Sequence, residues 1–438
     1  MRGSEVGNMA LDLYEHNANA YMVACEMMDK YSKAAIVHPT GTGKSYIAFK
    51  LIEDHPHEVI IWLSPSEYIF KTQRESLLRQ DQDFPLQNVR FYTYAKLMCS
   101  TPEQLNQIAE QNPTYIILDE FHRIGAEFWG ESTQRLLALC PRAKLLGLTA
   151  TNVRYLDNNR DMAEELFNGH VASEMTLGEA IVRGILPAPK YVTTVFKYQQ
   201  DLARYQSRVD NLRSPSIQDV NQKYLDALKR TLEQADGLDK VFARHITNKS
   251  GKYIVFCSGK EHMNEMISHA PEWFAAIDTN PTVYKALSDD PATDKAFAAF
   301  KADTSNHLKL LFCIDMLNEG VHVEGISGVI LFRPTISPII YKQQIGRALT
   351  AGDSTTPLIL DVVNNFEGLS SISGLQNEMT AAVQRLYANG EGDKVVADRF
   401  EVVEQVHDCR VLFEQLQSSL SSTWDHYFSE ASIYYSEQ

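Results

Sequence analysis

Three short stretches of this sequence carry residue types that together could hold and break a triphosphate. The first is Ala35-Ile36-Val37-His38-Pro39-Thr40-Gly41-Thr42-Gly43-Lys44-Ser45, a glycine-containing turn that follows an apolar run and opens a helical pattern near Tyr46. Glycines let backbone N–H groups approach phosphate oxygens, and a helix N-terminus adds partial positive charge. Thr40, Gly41, Thr42 and Gly43 would form the cradle, Lys44 would reach the β- and γ-phosphates, and the Ser45 hydroxyl would ligate magnesium. The general pattern has glycine at position 38, where this chain has His38. A glycine turn with an incidental lysine would not require strand, turn, Gly-Lys-Ser and helix in that order.

The second stretch, Tyr115-Ile116-Ile117-Leu118-Asp119-Glu120-Phe121-His122, is an apolar strand ending in adjacent carboxylates. Ligands of doubly wound sheets collect at the carboxyl ends of strands, so these acids would face the phosphate loop. Asp119 suits magnesium and Glu120 suits orienting and deprotonating an attacking water. Taken alone, Asp-Glu after a strand also reads as an ordinary helix start. The third stretch, Tyr341-Lys342-Gln343-Gln344-Ile345-Gly346-Arg347-Ala348, ends a helical segment far along the chain. A guanidinium brought from another lobe to the γ-phosphate stabilises transition-state charge, which makes Arg347 the candidate finger and Gln343 a candidate holder of the water.

These residues need a scaffold, and the hydrophobic pattern supplies one. Short apolar runs at Ala34–Val37, Val59–Leu63, Tyr115–Leu118 and Lys144–Leu148 alternate with helical patterns, as in a parallel sheet wrapped by helices. A second set follows at Tyr253–Phe256, Lys309–Cys313, Gly328–Phe332 and Leu358–Asp361. The expected class is therefore α/β, with two tandem parallel-sheet lobes at 1–190 and 191–365. The prolines of Gly184-Ile185-Leu186-Pro187-Ala188-Pro189 suit the crossing between them. Leucines at helical spacing (Leu225, Leu228, Leu232) mark a helical insertion over about 197–248, and Phe413, Leu416 and Leu420 mark a helical extension over 366–438.

Composition narrows the partners. With 44% hydrophobic and 22% charged residues the chain can bury a core, and its net charge of -15 means that any nucleic-acid contact must come from a local groove. The six cysteines are scattered with no CxxC pair, and no run of about 18 apolar residues occurs, so a cytosolic, non-membrane protein is expected.

In chain order the motifs resemble superfamily 2 helicases of the DEAD/DEAH-box-like class. The residues that carry the resemblance are His38–Ser45, Leu63-Ser64-Pro65-Ser66, Thr93-Tyr94, Asp119-Glu120-Phe121-His122, Leu148-Thr149-Ala150-Thr151, Ile254–Ser258, Asp315–His322 and Gln343–Arg347. Bacterial helicase-family proteins with a DEFH box look most similar. The resemblance implies two RecA-like lobes and Mg-ATP hydrolysis stimulated by nucleic acid, with DNA ahead of RNA as the partner. It implies helicase or translocase action, or, alternatively, a non-unwinding clamp or motor subunit in a restriction, defence or repair assembly. By the same likeness Ser64, Ser66, Thr93 and Ser258 would contact a strand, Thr149 and Thr151 would couple ATP to it, and Asn17, Glu319 and Gly320 would join the nucleotide site. Ser66 would serve equally well as a helix cap. The chain departs from the family at Asn17, where relatives have an adenine-reading glutamine, at Thr350, where many have a second arginine, and at His322.

Overall fold

The computed structural model describes residues 11–421 apart from 126, 152, 155–159, 197–198, 288–291, 315–324, 333–337, 351–354, 364–370 and 406–407. The first sheet is built from β1 (Lys33–Val37), β2 (Ile60–Ser64), β3 (Val89–Thr93), β4 (Tyr115–Asp119) and β5 (Lys144–Thr149). A short antiparallel ribbon of β6 (Val153–Arg154) and β7 (Arg160–Asp161) follows, and β8 (Val171–Glu174) completes the sheet. Its six strands run parallel in the order β3-β2-β4-β5-β1-β8.

Why these runs become strands is visible in how they divide between the two faces. Ala35, Val37, Ile61, Leu63, Ile116 and Leu118 enter one core cluster, while Ala34, Ile36, Ile60, Trp62, Ile117, Leu146 and Leu148 enter the other. Strict alternation between two buried faces is what a parallel sheet covered on both sides demands. The second sheet repeats the arrangement with β9 (Lys190–Val195), β10 (Lys252–Phe256), β11 (Thr282–Ala286), β12 (Lys309–Cys313), β13 (Gly328–Leu331), β14 (Leu358–Val363) and β15 (Glu401–Glu404). Their order is β11-β12-β10-β13-β14-β9-β15, again parallel throughout. The two tandem parallel-sheet lobes expected from the sequence are both present.

All eight apolar runs named from the sequence correspond to strands, but β3, β8, β9, β11 and β15 of the two sheets, and the β6–β7 ribbon, lie outside them. Four of these five sheet strands stand at a sheet edge and β9 lies next to one; β3 (Val-Arg-Phe-Tyr-Thr) and β11 are largely half-buried and so lack a continuous apolar signature. The side chains also change partner earlier than the expected crossing: Met175, Leu177, Ile181 and Leu186 already pack with Ile254, Leu311 and Ile359 of the second sheet. Within the expected insertion, helices Gln199–Asp210 and Pro215–Gln234 place Tyr205, Val209, Leu225, Leu228 and Leu232 against Cys409, Phe413, Leu416 and Leu420 of a helix over 408–421. The extension is not purely helical, because β15 adds to the sheet beside β9 after helix Ser371–Ala388.

Candidate functional site

The strand order brings the chemistry together. β1 ends in the phosphate loop and β4 ends in the carboxylates, and β5 lies between them, with Val37 level with Thr149 and Asp119 level with Leu148. Two strand spacings of about 4.8 Å separate β1 from β4, a gap that a lysine side chain spans. Accordingly Lys44 Nζ lies 3.2 Å from Glu120 Oε1, with both side chains almost fully buried.

The phosphate loop runs from His38 to Lys44 and hands over to helix Ser45–Asp54. Gly41 and Gly43 have φ of 90° and 78°, in the region that favours glycine. At Gly41 the second lobe is in contact: an added Cβ would lie 2.0 Å from the Leu349 carbonyl oxygen. A Cβ on Gly346 would meet Thr40 at 3.0 Å. Arg347 therefore sits in a segment pressed against the phosphate loop on both sides, and it lines one cavity with Thr40, Gly41, Gly43, Lys44, Ser45 and Glu120. That cavity measures 580 Å³, within the roughly 300–1,000 Å³ of small-molecule sites. Burial lowers the Arg347 pKa to about 10 against the opposing pull of Glu120, so the guanidinium stays charged near neutrality.

Glu120 has a φ of 49°, a left-handed conformation that costs a non-glycine residue about 1–3 kcal/mol. The surroundings hold it there. Burial alone would raise its pKa, but Lys44, His122 and Arg347 outweigh it and keep the carboxylate below its usual range. The Ala150 N–H lies 3.4 Å from Oε2. For Asp119, burial and then the charge on Glu120 push the pKa up, with Lys44 only partly opposing. A buried carboxyl so destabilised in its charged form suits a cation site. The Gln73 side-chain amide donates to Ser45 Oγ at 2.8 Å and to Asp119 Oδ2 at 3.3 Å, so both oxygens proposed for magnesium face one point.

Thr149 and Thr151 join the carboxylates to the end of β5. The Thr149 hydroxyl donates to the Thr151 carbonyl at 2.7 Å. Having one proton to give, it accepts from the His122 ring at 2.8 Å. His122 in turn stands 3.5 Å from Glu120. Asn17 is fully buried, donates to the Thr42 carbonyl at 2.8 Å and leaves its own Oδ1 without a partner. Gln343 is also buried. Glu319 and Gly320 lie outside the described residues.

The four expected strand-contacting hydroxyls fare differently. Ser64 is fully buried at the end of β2. Ser66 and Thr93 cap helices by accepting from Ile69 and Lys96 N–H groups, and the exposed Ser258 bonds His262 at 2.8 Å. Gln73 and the cavity-lining Tyr14, Arg79 and Lys301 were missed by sequence reasoning. They belong to no local pattern, and only the fold brings them to the loop.

His38, which stands where the general pattern has glycine, is buried and bonds Ser173 of β8 at 2.8 Å. Burial, then the neighbouring His16, Lys44 and Arg183, lower its pKa from 6.5 to about 3. Between these pH values the unfolded chain binds a proton that the native chain refuses, so His38 makes stability fall as pH drops below 6.5. At pH 5 the loss is about 2 kcal/mol. Thermal melts of nucleotide-free His38→Gln are expected to change less between pH 7 and 5 than those of the unaltered protein. Parallel curves would show that His38 titrates normally.

Comparison with known proteins agrees with the two lobes. Residues 10–154 match the family model "Type III restriction enzyme, res subunit", and residues 234–352 match "Helicase conserved C-terminal domain". The chain is 23% identical over 346 residues to the "Type I restriction enzyme EcoAI endonuclease subunit" of Escherichia coli, a match that covers 72% of this chain and 41% of the relative. The chain thus spans about two fifths of that relative's length. Among solved structures it is similar to the ATP-dependent Type ISP restriction-modification enzyme LlaBIII bound to DNA, with a TM-score of 0.56, 15% identity, and coverage of 94% of this chain and 33% of that one. It is also similar to a fragment of a putative HsdR subunit of a type I restriction enzyme from Vibrio vulnificus YJ016, with a TM-score of 0.54, 18% identity, and coverage of 90% and 69%. Among the described residues no helix is long and apolar enough to cross a membrane. With a phosphate loop and paired carboxylates in the first lobe, residues 10–154 and 234–352 thus carry a restriction-enzyme res-subunit domain and a helicase C-terminal domain, the pair of domains of a superfamily 2 helicase-family protein.

Proposed function

We propose that this chain is a nucleic-acid-stimulated ATPase that hydrolyses Mg-ATP between its lobes to move along or remodel DNA. One observation carries the reading: Lys44 and Glu120 of the first lobe and Arg347 of the second line the same cavity. Lys44 and the N–H groups of 41–45 hold phosphate, Ser45 and Asp119 hold magnesium, and Asn17 borders the base. Bound magnesium supplies charge neutralisation on the phosphates. Glu120 orients the attacking water and takes its proton, Gln343 helps to hold that water, and Arg347 stabilises the charge that develops on the γ-phosphate side. The Glu120–His122–Thr149–Thr151 contacts give the site a route by which nucleotide state reaches a bound strand, held by hydroxyls and N–H groups around Ser64, Ser66, Thr93 and Ser258.

DNA is placed ahead of RNA because the restriction enzymes to which the chain is similar include one described as bound to DNA, although a structure of similar fold, S. cerevisiae Dbp5, is described as bound to RNA. The restriction-enzyme relatives support a second reading, in which the chain is a non-unwinding clamp or a motor subunit of a restriction, defence or repair assembly. The first-sheet lobe and the second-sheet lobe, to which helix Ser371–Ala388 and β15 belong, then act as the two moving parts. Steady-state ATPase with single-stranded DNA, duplex DNA and RNA in turn, across salt concentration, tests the proposal. Stimulation by DNA that weakens with salt is expected. Turnover indifferent to all three nucleic acids would defeat it. Stimulation without strand displacement would select the motor-subunit reading.

A further inference from the structure

Arg347 can act only if the helix that precedes it, Pro338–Gly346, is held at one height and rotation over the phosphate loop. Two neighbouring residues of that helix are tied in different directions. The Tyr341 hydroxyl meets that of Tyr191 on β9, which donates to Asp361 on β14. Lys342 pairs with Glu378 of helix Ser371–Ala388. Successive helical residues point about 100° apart, so the two ties together fix the rotation of the helix. Arg347 follows Gly346 directly, so that rotation sets the direction in which the chain delivers it.

Glu378 has a second partner. Its Oε2 accepts the Gly178 N–H at 3.1 Å, in the first turn of helix Leu177–Val182, which connects the two sheets. The helices touch backbone to backbone there: a Cβ on Gly178 would lie 2.6 Å from Glu378 Cβ and 2.7 Å from the Met379 nitrogen. A further ion pair, Arg385 with Glu179, lies along the same contact. Strand β8, which leads into the connector, is held to the phosphate loop by the His38–Ser173 bond. One carboxylate therefore joins the connector to the helix that carries the finger.

We propose that Glu378 is a positioning residue for Arg347, locking the finger helix to the connector so that relative movement of the lobes reaches the guanidinium through one rigid unit. This rests on the reading of Arg347 as the finger. The test compares kcat, KM for ATP and thermal melts of the full chain with those of Arg347→Ala, Glu378→Ala, Glu378→Gln, Lys342→Met and the double variant Glu378→Gln/Lys342→Met. Glu378→Ala is expected to lower kcat about tenfold with KM within about twofold, since a positioning loss acts on the transition state and not on ground-state binding. Glu378→Gln and Lys342→Met should each lower kcat about threefold, and the double variant no further, because the two share one interaction. A folded Glu378→Ala with normal kcat, beside an Arg347→Ala that has lost turnover, would overturn this proposal alone. If Glu378→Ala does not fold, normal kcat in both Glu378→Gln and Lys342→Met overturns it equally. An inactive unaltered chain, or undiminished Arg347→Ala, would instead remove the reading on which it stands.

Discussion

Arg347→Ala is expected to lower ATP turnover about a thousandfold while nucleotide binding changes little. The arginine arrives from the second lobe, yet its neighbours Gly346 and Leu349 are in contact with Thr40 and Gly41 of the phosphate loop. Its charge is felt at Glu120, so it stands close enough to act on the same triphosphate. Its burial carries a desolvation cost that ordinary surface arginines do not have, and an interaction made only in the transition state is a reason to retain it. Lysine should not rescue, because a point charge cannot reproduce the planar fork that pairs two oxygens. The measurements are kcat and the affinity for a fluorescent ATP analogue. A kcat within tenfold of the unaltered protein would remove Arg347 from the chemistry.

Glu120→Gln should reduce turnover by about 10²–10⁴-fold, the usual contribution of a positioned general base. The amide keeps the shape and can still accept from the Ala150 N–H, so the nucleotide should remain bound and unhydrolysed. A second effect separates this variant from a simple loss of fold. Without nucleotide, Lys44 loses the ionic partner it holds at 3.2 Å, and the melting temperature should drop. Saturating Mg-ATP gives Lys44 a new partner and should restore most of that drop by mass action. Single-turnover hydrolysis and melts with and without Mg-ATP provide the check. Unimpaired hydrolysis would leave the water to be activated by another group.

Several features of the site were open to sequence reading because they are local. Lys44, Asp119 and Glu120 each follow an apolar strand within a few residues, and strand ends in parallel sheets are where ligands gather. Ser66 shows the opposite case, since its residue type suits phosphate contact and helix capping alike. In the folded chain its hydroxyl accepts from the Ile69 N–H, as a cap does. Gln73 was illegible for a different reason. It lies within helix Glu67–Gln80 with no motif around it, and reaches Ser45 and Asp119 only because that helix packs beside β2, the neighbour of β4.

Eight interior strands of the two sheets, the phosphate loop after β1 and the carboxylates after β4 were legible in the sequence alone, because apolar runs and turn chemistry act over a few neighbouring positions. Only the tertiary structure decided that Arg347 meets the phosphate loop and that Met175–Leu186 pack with the second sheet. It also decided that Glu378 ties the connector to the finger helix. Those outcomes depend on contacts between residues more than 300 positions apart in one case, Gly41 with Leu349, and no local pattern encodes which distant surfaces will bury one another.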